Sequence, residues 1–426
     1  MGHLLVIESW VGAMSRLLPR AIGEAGHRFT FLTRDLHHYL RSAPTGATHP
    51  LLSAENILTA ETNDVPALLD HVERMHSVLD FDGVLTSCDY YLPTAARIAD
   101  RLGLPGPAPQ AVETACSKDA TRRALEAADV PGPRYAVCQD WPAVAGAATR
   151  IGYPLVVKPV DLCAGMYVRQ VADEQQLAAA YKALSDFPVN ARGQRRSPAV
   201  LLEELLTGPE VSVETVSRRG SACHVVGVTD KSVGGSPAFI ETGHMFPAGL
   251  DRRTAALAAD TAVAALRALG LDDVVAHTEI KLEESGPRVV EVNPRPAGNR
   301  ITELVRHVTG VDLPGAAVEV ALGRPPALTP RDTGVRSAAV GFLLPDQAGE
   351  LAGFDGAEEA AAADGVRELT LADPGRTVRP ATSNNDYLGH VLAVDAEEGA
   401  ARDRVAAVLA GLRPRYATPG PAGGDA

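Results

Sequence analysis

The strongest constraint on the fold of this chain is an acidic β-hairpin predicted between residues 274 and 298. One apolar strand runs over 274–282, and a second strand over 288–293 leads into Pro-Arg-Pro-Ala-Gly. The stretch Glu-Ser-Gly-Pro between them supplies the residue types that turns need. If the pair is antiparallel with its turn centred on Ser285, Glu279 faces Glu291. The pattern therefore predicts two neighbouring carboxylates on one sheet.

Asn293 extends this acidic pair into a predicted metal site. Side chains alternate along a strand, so Asn293, two residues after Glu291, lies on the same face. Three oxygen donors of this kind suit Mg²⁺, which also takes ligands from water and substrate phosphates. The alternative is a surface hairpin with solvated acids. The Asn-Pro-Arg-Pro-Ala-Gly sequence argues against it, because a strand interior does not pack such residues. We therefore expect Glu279, Glu291 and Asn293 to bind a metal ion.

This segment resembles the metal-binding signature of the ATP-grasp ligases, whose last strands carry Glu and then Glu-x-Asn-x-Arg. Other motifs of that family occur in the same order along this chain. Lys118 begins a predicted helix, Lys158 ends a short apolar strand, and Glu-Glu-Leu-Leu at 203–206 precedes Glu210. The resemblance covers roughly residues 1–320, and the ordered set of motifs is far more specific than any single motif.

The resemblance implies ATP and Mg²⁺ as cofactors, with Mn²⁺ as an alternative metal. In that family two lysines contact the nucleotide phosphates, a loop closes over them, and a hinge binds adenine and ribose. The loop here, 161–168, is poorer in Gly and Ser than is usual in the family. The residues assigned to the nucleotide in this way are Lys118, Lys158, Gly165, Glu203, Glu204, Leu205, Leu206 and Glu210.

Two further segments are expected to bind the substrates. Glu-Thr-Gly-His-Met-Phe-Pro-Ala at 241–248 resembles the acceptor pocket of amino-acid ligases, where His244 would position or deprotonate an incoming ammonium. A lone histidine is otherwise more often structural. Arg295 would stabilise an acyl phosphate and the developing oxyanion. A substrate carboxylate would bind near the start of the following helix, at Gly298, Asn299 and Arg300.

The N-terminal pattern predicts a parallel sheet. A strand at 3–9, a helix at 12–25 and a strand at 28–33 form a β-α-β unit. The loop after the first strand has no G-x-G-x-x-G, so a dinucleotide site is not supported there. A cluster of Pro and Gly at 104–109 marks the first domain boundary.

Together with the resemblance, these signals predict an α/β fold with an α+β grasp. We expect a Rossmann-like pre-ATP-grasp domain followed by a two-subdomain ATP-grasp domain and a C-terminal α/β portion that completes the grasp domain or forms an interface. A disordered tail would end the chain, and Arg192 to Pro198 would form an exposed, mobile loop. The predicted bounds are 1–108, 109–325 with a lid subdomain at about 130–225, 326–413, and 414–426 for the tail.

Composition excludes several classes of partner. Forty basic against 53 acidic residues give a net charge of −13, which argues against nucleic acid and anionic membranes as partners. Five cysteines without a Cys-x-x-Cys pair indicate neither a disulfide framework nor a zinc site. No basic leader and no apolar run of about 18 residues is present. We expect a cytoplasmic protein.

By resemblance, the chemistry is ADP-forming ligation of a carboxylate to an amine through an acyl phosphate. The motifs most resemble the L-amino-acid ligases that make dipeptides, which implies small-molecule amino-acid substrates, a dipeptide or γ-glutamyl-type product and a homodimer. One alternative is a purine-pathway or biotin-carboxylase-like enzyme that uses a small acid or bicarbonate. The other is a nucleotide-binding protein without turnover.

Overall fold

The computed structural model describes residues 1–10, 12–40, 49–234 and 238–417. Its strands are β1 His3–Ile7, β2 Arg28–Thr33, β3 Asn56–Thr59, β4 Gly83–Leu85, β5 Tyr135–Cys138, β6 Leu155–Pro159, β7 Arg169–Val171, β8 Val200–Glu204, β9 Glu210–Ser217, β10 His224–Gly234, β11 Ile240–Phe246, β12 Val274–Glu283, β13 Gly286–Asn293, β14 Ser337–Leu343, β15 Gly349–Asp355, β16 Val366–Leu371, β17 Thr377–Val378, β18 Gly389–Asp395 and β19 Arg413–Tyr416. Its α-helices are α1 Met14–Glu24, α2 Leu36–Leu40, α3 Val65–Leu79, α4 Leu92–Arg101, α5 Pro109–Ala115, α6 Lys118–Ala127, α7 Trp141–Ile151, α8 Glu174–Ser185, α9 Arg252–Leu269, α10 Ile301–Thr309, α11 Leu313–Ala321, α12 Ala357–Ala362 and α13 Ala400–Gly411.

The N-terminal region contains the predicted parallel sheet, with strand order β3-β2-β1-β4. All five residues of β1 are buried, as expected for a strand that is covered on both faces by helices. The helix α1 packs its apolar stripe against this sheet. The predicted β-α-β unit is therefore confirmed. No helix in the described ranges is long and apolar enough to cross a membrane.

The second sheet is small and antiparallel, with order β5-β8-β6-β7. Its core is closed by α7 and α8. The sheet ends with β8 at Glu204, whereas we predicted a lid subdomain that extends to about residue 225. The next strand, β9, instead pairs with β10 and β12 in the central sheet, so the C-terminal part of the predicted lid belongs to that sheet.

The central sheet has eight strands in the order β13-β12-β9-β10-β11-β14-β18-β16. Its last three strands come from the C-terminal portion, so this portion extends the sheet that carries the acidic hairpin. A separate three-stranded sheet has the order β17-β15-β19. The predicted disordered tail does not begin at Pro414, because residues up to Tyr416 form β19 and pair with β15. The rest of that tail, 418–426, lies outside the described residues.

The acidic hairpin is formed by β12 and β13, and Glu279 pairs with Glu291 as predicted. The turn lies half a residue from its expected centre, since Glu283 pairs with Gly286. The difference arises from a bulge: Ile280 pairs with Val289, which leaves one extra residue on β13. A simple antiparallel register does not include such an extra residue.

The loop around Arg192 differs most from its prediction. Arg192 is buried rather than exposed, and its guanidinium lies 5.7 Å from the Trp10 ring centroid and 5.6 Å from that of Tyr39. It also donates a hydrogen bond to the carbonyl of Ser9. An arginine can be buried when its charge and donors are satisfied in this way. The loop therefore docks the small subdomain onto the N-terminal region.

Candidate active site

One face of the central sheet carries charged side chains of the candidate site, such as Glu210, Lys231 and Lys281. In β9, Val211 and Val213 pack under α9, so the alternate residue Glu210 points to the opposite face. The neighbouring strands keep this register, because Glu210 pairs with Lys231 on β10 and with Lys281 on β12. A simple two-residue period thus separates an apolar face from a polar one.

The polar face forms part of the wall of a cavity of about 530 Å³. The N-terminal region, the small sheet, the central sheet and a C-terminal loop all contribute residues to it. The structure brings together in its wall the following predicted residues: Lys118, Lys158, Gly165, Glu203, Glu204, Leu205, Leu206, Glu210, Glu279, Glu291, Asn293, Arg295, Gly298 and Asn299. Two predicted residues, His244 and Arg300, do not line this cavity.

The predicted metal residues lie together at the hairpin, and each acid is paired with an ammonium group. Glu291 Oε1 is 2.7 Å from Lys118 Nζ, and Glu279 Oε1 is 2.6 Å from Lys231 Nζ. Asn293 pairs in the ladder with His277, whose Nε2 lies 3.2 Å from Glu279 Oε1. The three donors therefore share one wall of the cavity, as predicted.

These residues suit a Mg²⁺ ion whose coordination is shared between the protein and substrate phosphates. No group of three or more His, Cys, Asp or Glu side chains that would enclose a metal occurs in the described ranges. Mg²⁺ is commonly held by one or two carboxylates while substrate phosphates and water complete its shell. Two opposed carboxylates and a carboxamide match that requirement. Glu279, Glu291 and Asn293 are thus the residues that would hold the metal.

Lys231 is a buried charge centre that we did not predict. Its Nζ lies 3.0 Å from Glu210, 3.0 Å from Glu241 and 2.6 Å from Glu279, and its side chain is 1% exposed. Burial acts to lower the pKa of Lys231, but the three carboxylates hold this pKa well above its ordinary value. No motif in the sequence distinguishes this lysine from a surface residue.

His277 is the other unpredicted charge in this region. Its Nδ1 lies 3.0 Å from Glu214, and the opposite ring nitrogen contacts Glu279. Burial acts to lower the pKa of His277, yet the two carboxylates raise it to about 9. The same contacts with Lys231 and His277 overcome the effect of burial and lower the pKa of Glu279. His277 and Glu279 are therefore both charged at neutral pH.

The second predicted lysine is held by the first residue of the hinge. Lys158 Nζ lies 2.6 Å from Glu203, which also accepts a 2.6 Å hydrogen bond from Arg122 Nε. Burial lowers the pKa of Lys158. Arg122, which sequence analysis missed, also donates to the carbonyls of Val289 and Val290 at the bulge. The arginine thereby fixes the hinge of the small sheet to the hairpin of the central sheet.

The predicted phosphate loop lies beside Lys118. Lys118 Nζ donates a 2.6 Å hydrogen bond to the carbonyl of Leu162. Three residues of this loop have positive φ angles: Ala164, Gly165 and Tyr167. Only glycine adopts such angles without steric cost, so the loop has a strained backbone that the small subdomain holds in place. The loop lines the cavity through Leu162 to Gly165.

Arg295 is oriented by Asp89, which sequence analysis also missed. Arg295 Nε donates to Asp89 Oδ1 at 2.7 Å, while Trp10 Nε1 donates to Asp89 Oδ2 at 2.6 Å. All three residues line the cavity. Burial acts to lower the pKa of Arg295, but Asp89 outweighs it and raises this pKa. The guanidinium is therefore fixed by a residue from the N-terminal region.

The predicted acceptor segment lies on β11, and Glu241 rather than His244 reaches the cavity. The side chain of His244 is fully buried beside Phe342, and its Nε2 lies 3.2 Å from the Glu241 carboxylate without hydrogen-bond geometry. Glu241 also accepts a hydrogen bond from Asn299 Nδ2. His244 would consequently act on a substrate only through Glu241.

Arg300 differs from its prediction because its guanidinium is engaged elsewhere. It donates to Glu303 at 2.6 Å, to Glu368, and to His390 at 3.1 Å. Asn299 and Arg300 both have positive φ angles, which reverse the chain before α10. The reversal leaves Asn299 in the cavity wall and directs Arg300 to the C-terminal strands.

Comparisons with known proteins agree with this architecture. The family models that match are the ATP-grasp N-terminal domain over residues 21–106, an ATP-grasp domain over 151–303, and the L-amino acid ligase C-terminal domain 2 over 341–417. Together they follow the order of the N-terminal sheet, the grasp domain and the C-terminal portion.

Individual proteins show the same relationship. The uncharacterized protein y4rH of Sinorhizobium fredii is 33% identical over 366 residues, which are 84% of this chain and 73% of that protein. The alanine–anticapsin ligase of Bacillus subtilis is 25% identical over 272 residues, 59% of this chain and 56% of that enzyme. The crystal structure of an L-amino acid ligase from Bacillus licheniformis superposes with a TM-score of 0.83 at 23% identity, covering 98% of this chain and 99% of that one. The chain therefore belongs to the ATP-grasp superfamily of carboxylate–amine ligases, in the group that carries the L-amino acid ligase C-terminal domain.

Proposed function

We propose that the protein joins the carboxylate of one amino acid to the amine of a second, with ATP converted to ADP and phosphate. The product is a dipeptide or a γ-glutamyl-type amide. The observation that carries this proposal is the convergence of two lysines, an opposed pair of carboxylates and an oriented arginine in one cavity. These groups are Lys118, Lys158, Glu279, Glu291 and Arg295.

The nucleotide would bind between the small and central sheets. Lys118 and Lys158 would provide the positive charges for phosphate oxygens, and the hinge residues 203–206 line the same cavity as the ribose-binding candidate Glu210. A magnesium ion bound by the hairpin would neutralise phosphate charge and orient the γ-phosphate. This assignment of ATP and metal contacts rests on the position of these residues and on the family.

The first chemical step would take place beside Arg295. A substrate carboxylate oxygen attacks the γ-phosphorus, the bond to the bridging oxygen breaks, and ADP leaves with that electron pair. Arg295 has a planar guanidinium suited to the oxygens of the acyl phosphate that results. Asp89 keeps this group oriented before substrate arrives, so little reorganisation is required during the reaction.

The second step requires an amine free of its extra proton. The amine attacks the acyl carbon, phosphate leaves, and one proton is lost from nitrogen. Glu241 is the carboxylate of the acceptor segment that reaches the cavity, so it would bind the ammonium, with His244 behind it. Water must be kept out, since it would hydrolyse the acyl phosphate. The docked loop at Arg192 supports this by holding the small subdomain against the N-terminal region.

The C-terminal portion favours amino acids over the alternative substrates. Phosphoribosylglycinamide synthetase from Anaerococcus prevotii also shares the fold, with a TM-score of 0.69 at 18% identity, but this likeness concerns the fold alone. The match at 341–417 is to a domain of L-amino acid ligases, and the name alanine–anticapsin ligase describes an enzyme that joins an amino acid. The complete set of charged groups in the cavity argues against loss of turnover.

A coupled assay tests the proposal. Purified protein is incubated with ATP, MgCl₂ and pools of amino acids, while phosphate release is followed and products are identified by mass spectrometry. We expect phosphate release that depends on amino acids and a new mass equal to two amino acids minus water. Phosphate release that requires bicarbonate or a ribonucleotide amine, or ATP binding without turnover, would contradict the proposal.

A matched pair of variants links the activity to the cavity. Glu291→Ala removes a carboxylate of the predicted metal site and should abolish ligation. Glu284→Ala makes the same truncation at the exposed turn of the same hairpin and should leave the rate unchanged. Equal activity of the two variants would refute the site assignment.

The homodimer and the cytoplasmic location stay predictions. Light scattering of the purified protein would measure its oligomeric state.

A further inference from the structure

A loop of the C-terminal portion reaches into the cavity. Asn384 and Asn385, between β17 and β18, line its wall together with residues of the phosphate loop and of β11. No motif of the sequence predicts a role for these asparagines. The central sheet explains how they arrive there, since β14 pairs with β11 and β18 pairs with β14. The loop before β18 is thereby placed over the end of the acceptor segment.

This loop is held in a fixed conformation by Asp386. Its Oδ2 accepts hydrogen bonds from the backbone N–H groups of Thr382 and Ser383, at 2.8 and 2.9 Å. The hydroxyls of the same two residues lie 3.2 Å from this oxygen. Such a turn, closed by one carboxylate, orders the loop before any ligand binds.

The loop also forms hydrogen bonds with both the N–H and the carbonyl of Glu241. The Glu241 N–H donates to Asn384 Oδ1 at 3.0 Å, and the Glu241 carbonyl accepts from the Tyr387 hydroxyl at 2.9 Å. The Tyr387 ring stacks on Phe342 with centroids 4.3 Å apart. A bulge in β11, where the register shifts between Gly243 and Glu241, accompanies this departure from regular strand pairing. The C-terminal loop therefore fixes the carboxylate that reaches the cavity.

The contact with Glu241 defines which way the Asn384 amide faces. Because Oδ1 accepts from the Glu241 N–H, the opposite atom of the amide is the donor Nδ2. That nitrogen lies 3.9 Å from the point where a side-chain carbon on Gly165 would sit, on the side of the phosphate loop. Within the described part of the chain, Nδ2 makes no hydrogen bond. A neutral donor therefore faces the cavity beside an acidic side chain.

This pair of groups suits the two polar ends of an amino acid, because both residues line the same cavity. A free α-amino acid carries an ammonium and a carboxylate on one carbon, so its site needs an acceptor and a donor close together. Glu241 offers the acceptor, and the Asn384 amide offers the donor. We propose that Asn384 is a specificity-determining residue for the second substrate, donating from Nδ2 to the carboxylate of the amine-bearing amino acid while it holds Glu241 in place. This inference rests on the proposed ligase function.

The variant Asn384→Asp separates the two roles of this side chain. Aspartate keeps an oxygen that accepts from the Glu241 N–H, but it replaces the donor with a negative charge. Hydrogen bonds to charged groups imply that the KM for the acceptor amino acid rises by about tenfold or more. The KM for ATP should stay within about twofold, because Asn384 is not among the residues that we assign to the nucleotide. Asn56→Asp is the matched control, since Asn56 lies on β3, outside the cavity.

A change of acceptor provides a second readout that needs no variant. An amino-acid amide, which has a carboxamide in place of the carboxylate, should have a higher KM than the parent amino acid with the wild-type protein. This preference should reverse in Asn384→Asp, because aspartate accepts a hydrogen bond from the carboxamide. Unchanged acceptor KM in Asn384→Asp, a rise in the KM for ATP alone, or equal use of acid and amide by the wild type would overturn the inference.

The two proposals fail in different ways. Absence of amino-acid-dependent phosphate release with the wild type overturns the ligase function and the inference with it. Normal wild-type ligation together with an indifferent Asn384→Asp overturns the inference alone. Circular dichroism and thermal unfolding of the variant show whether its fold is intact, and the wild-type comparison of acid with amide remains decisive if it is not.

Discussion

The contact between Asp89 and Arg295 provides the sharpest test of the site. Both hydrogen-bond partners of Asp89 are donors: Arg295 Nε at 2.7 Å and Trp10 Nε1 at 2.6 Å. The substitution Asp89→Asn keeps the shape of the side chain but leaves it only one acceptor oxygen. Whichever way the amide turns, its NH₂ group meets another donor. One hydrogen bond is therefore lost and one donor–donor contact is created.

The magnitude follows from the charge of the partner. A hydrogen bond to a charged group contributes about 1.5–3 kcal/mol. If this orientation of Arg295 matters only as charge develops in the reaction, its loss lowers kcat by about 10- to 150-fold. The KM for ATP should change little, because Asp89 is not among the groups that we assign to the nucleotide.

A double-substitution cycle separates orientation from simple damage. Trp10→Phe removes the competing indole donor, so in Asp89→Asn with Trp10→Phe the amide oxygen can turn to Arg295 without a clash. We expect the double variant to be faster than Asp89→Asn alone, with Trp10→Phe close to the wild type. Initial rates of phosphate release under saturating ATP measure this. Wild-type kcat in Asp89→Asn, or a double variant as slow as the single one, would refute the reasoning.

Three other changes test further contacts. Arg192→Ala should free the docked loop and speed amide hydrogen exchange at 188–197, whereas the exposed Arg195→Ala should not. Arg122→Met should cost about 1.5–3 kcal/mol in chemical unfolding, because it removes a charge-assisted hydrogen bond to the buried Glu203, which keeps Lys158 as its partner. Glu203→Gln should cost less in Arg122→Met than in the wild type, where it leaves two buried cations without their carboxylate. Tyr387→Phe should cost about 0.5–1.5 kcal/mol in unfolding for one lost hydrogen bond, with a reduced rate of ligation.

Opposite results would contradict the structural roles given to these residues. Slow exchange in Arg192→Ala would mean that the loop is held by other contacts. Additive losses for Arg122→Met and Glu203→Gln would show that the pair is not coupled. Wild-type ligation by Tyr387→Phe would mean that its grip on the Glu241 backbone is unimportant for the reaction.

The sequence predicted those parts of the site that depend on local patterns. The facing of Glu279 and Glu291 follows from strand alternation and a short turn, both of which are local. The partners of the site residues were not predictable in the same way. Lys231, which pairs with Glu279, lies on another strand of the central sheet, and Asp89, which pairs with Arg295, is 206 positions from it. Strand pairing in the central sheet brings Lys231 to Glu279, and the packing of the N-terminal region brings Asp89 to Arg295. A single sequence carries no signal for either contact.

Errors in the prediction have a common physical cause. The Arg192 loop has the polar composition of an exposed segment, but aromatic rings and backbone carbonyls of another region satisfy its charge. His244 and Arg300 are the residue types expected of a substrate site. In the structure, however, the His244 side chain is buried, and Arg300 donates to Glu303 and Glu368. Composition describes what a side chain can do, whereas packing decides which partner it has.

The C-terminal portion forms part of the wall of the candidate site. Strand β11, which carries Glu241, is paired on one side with β10 and on the other with β14. Without β14 and its neighbour β18, β11 would be an exposed sheet edge, which is prone to pair with other chains. The same strands carry the loop that grips the Glu241 backbone. Completion of the sheet and placement of the Glu241 carboxylate in the cavity wall are therefore one structural requirement, which links the C-terminal portion to the proposed acceptor site.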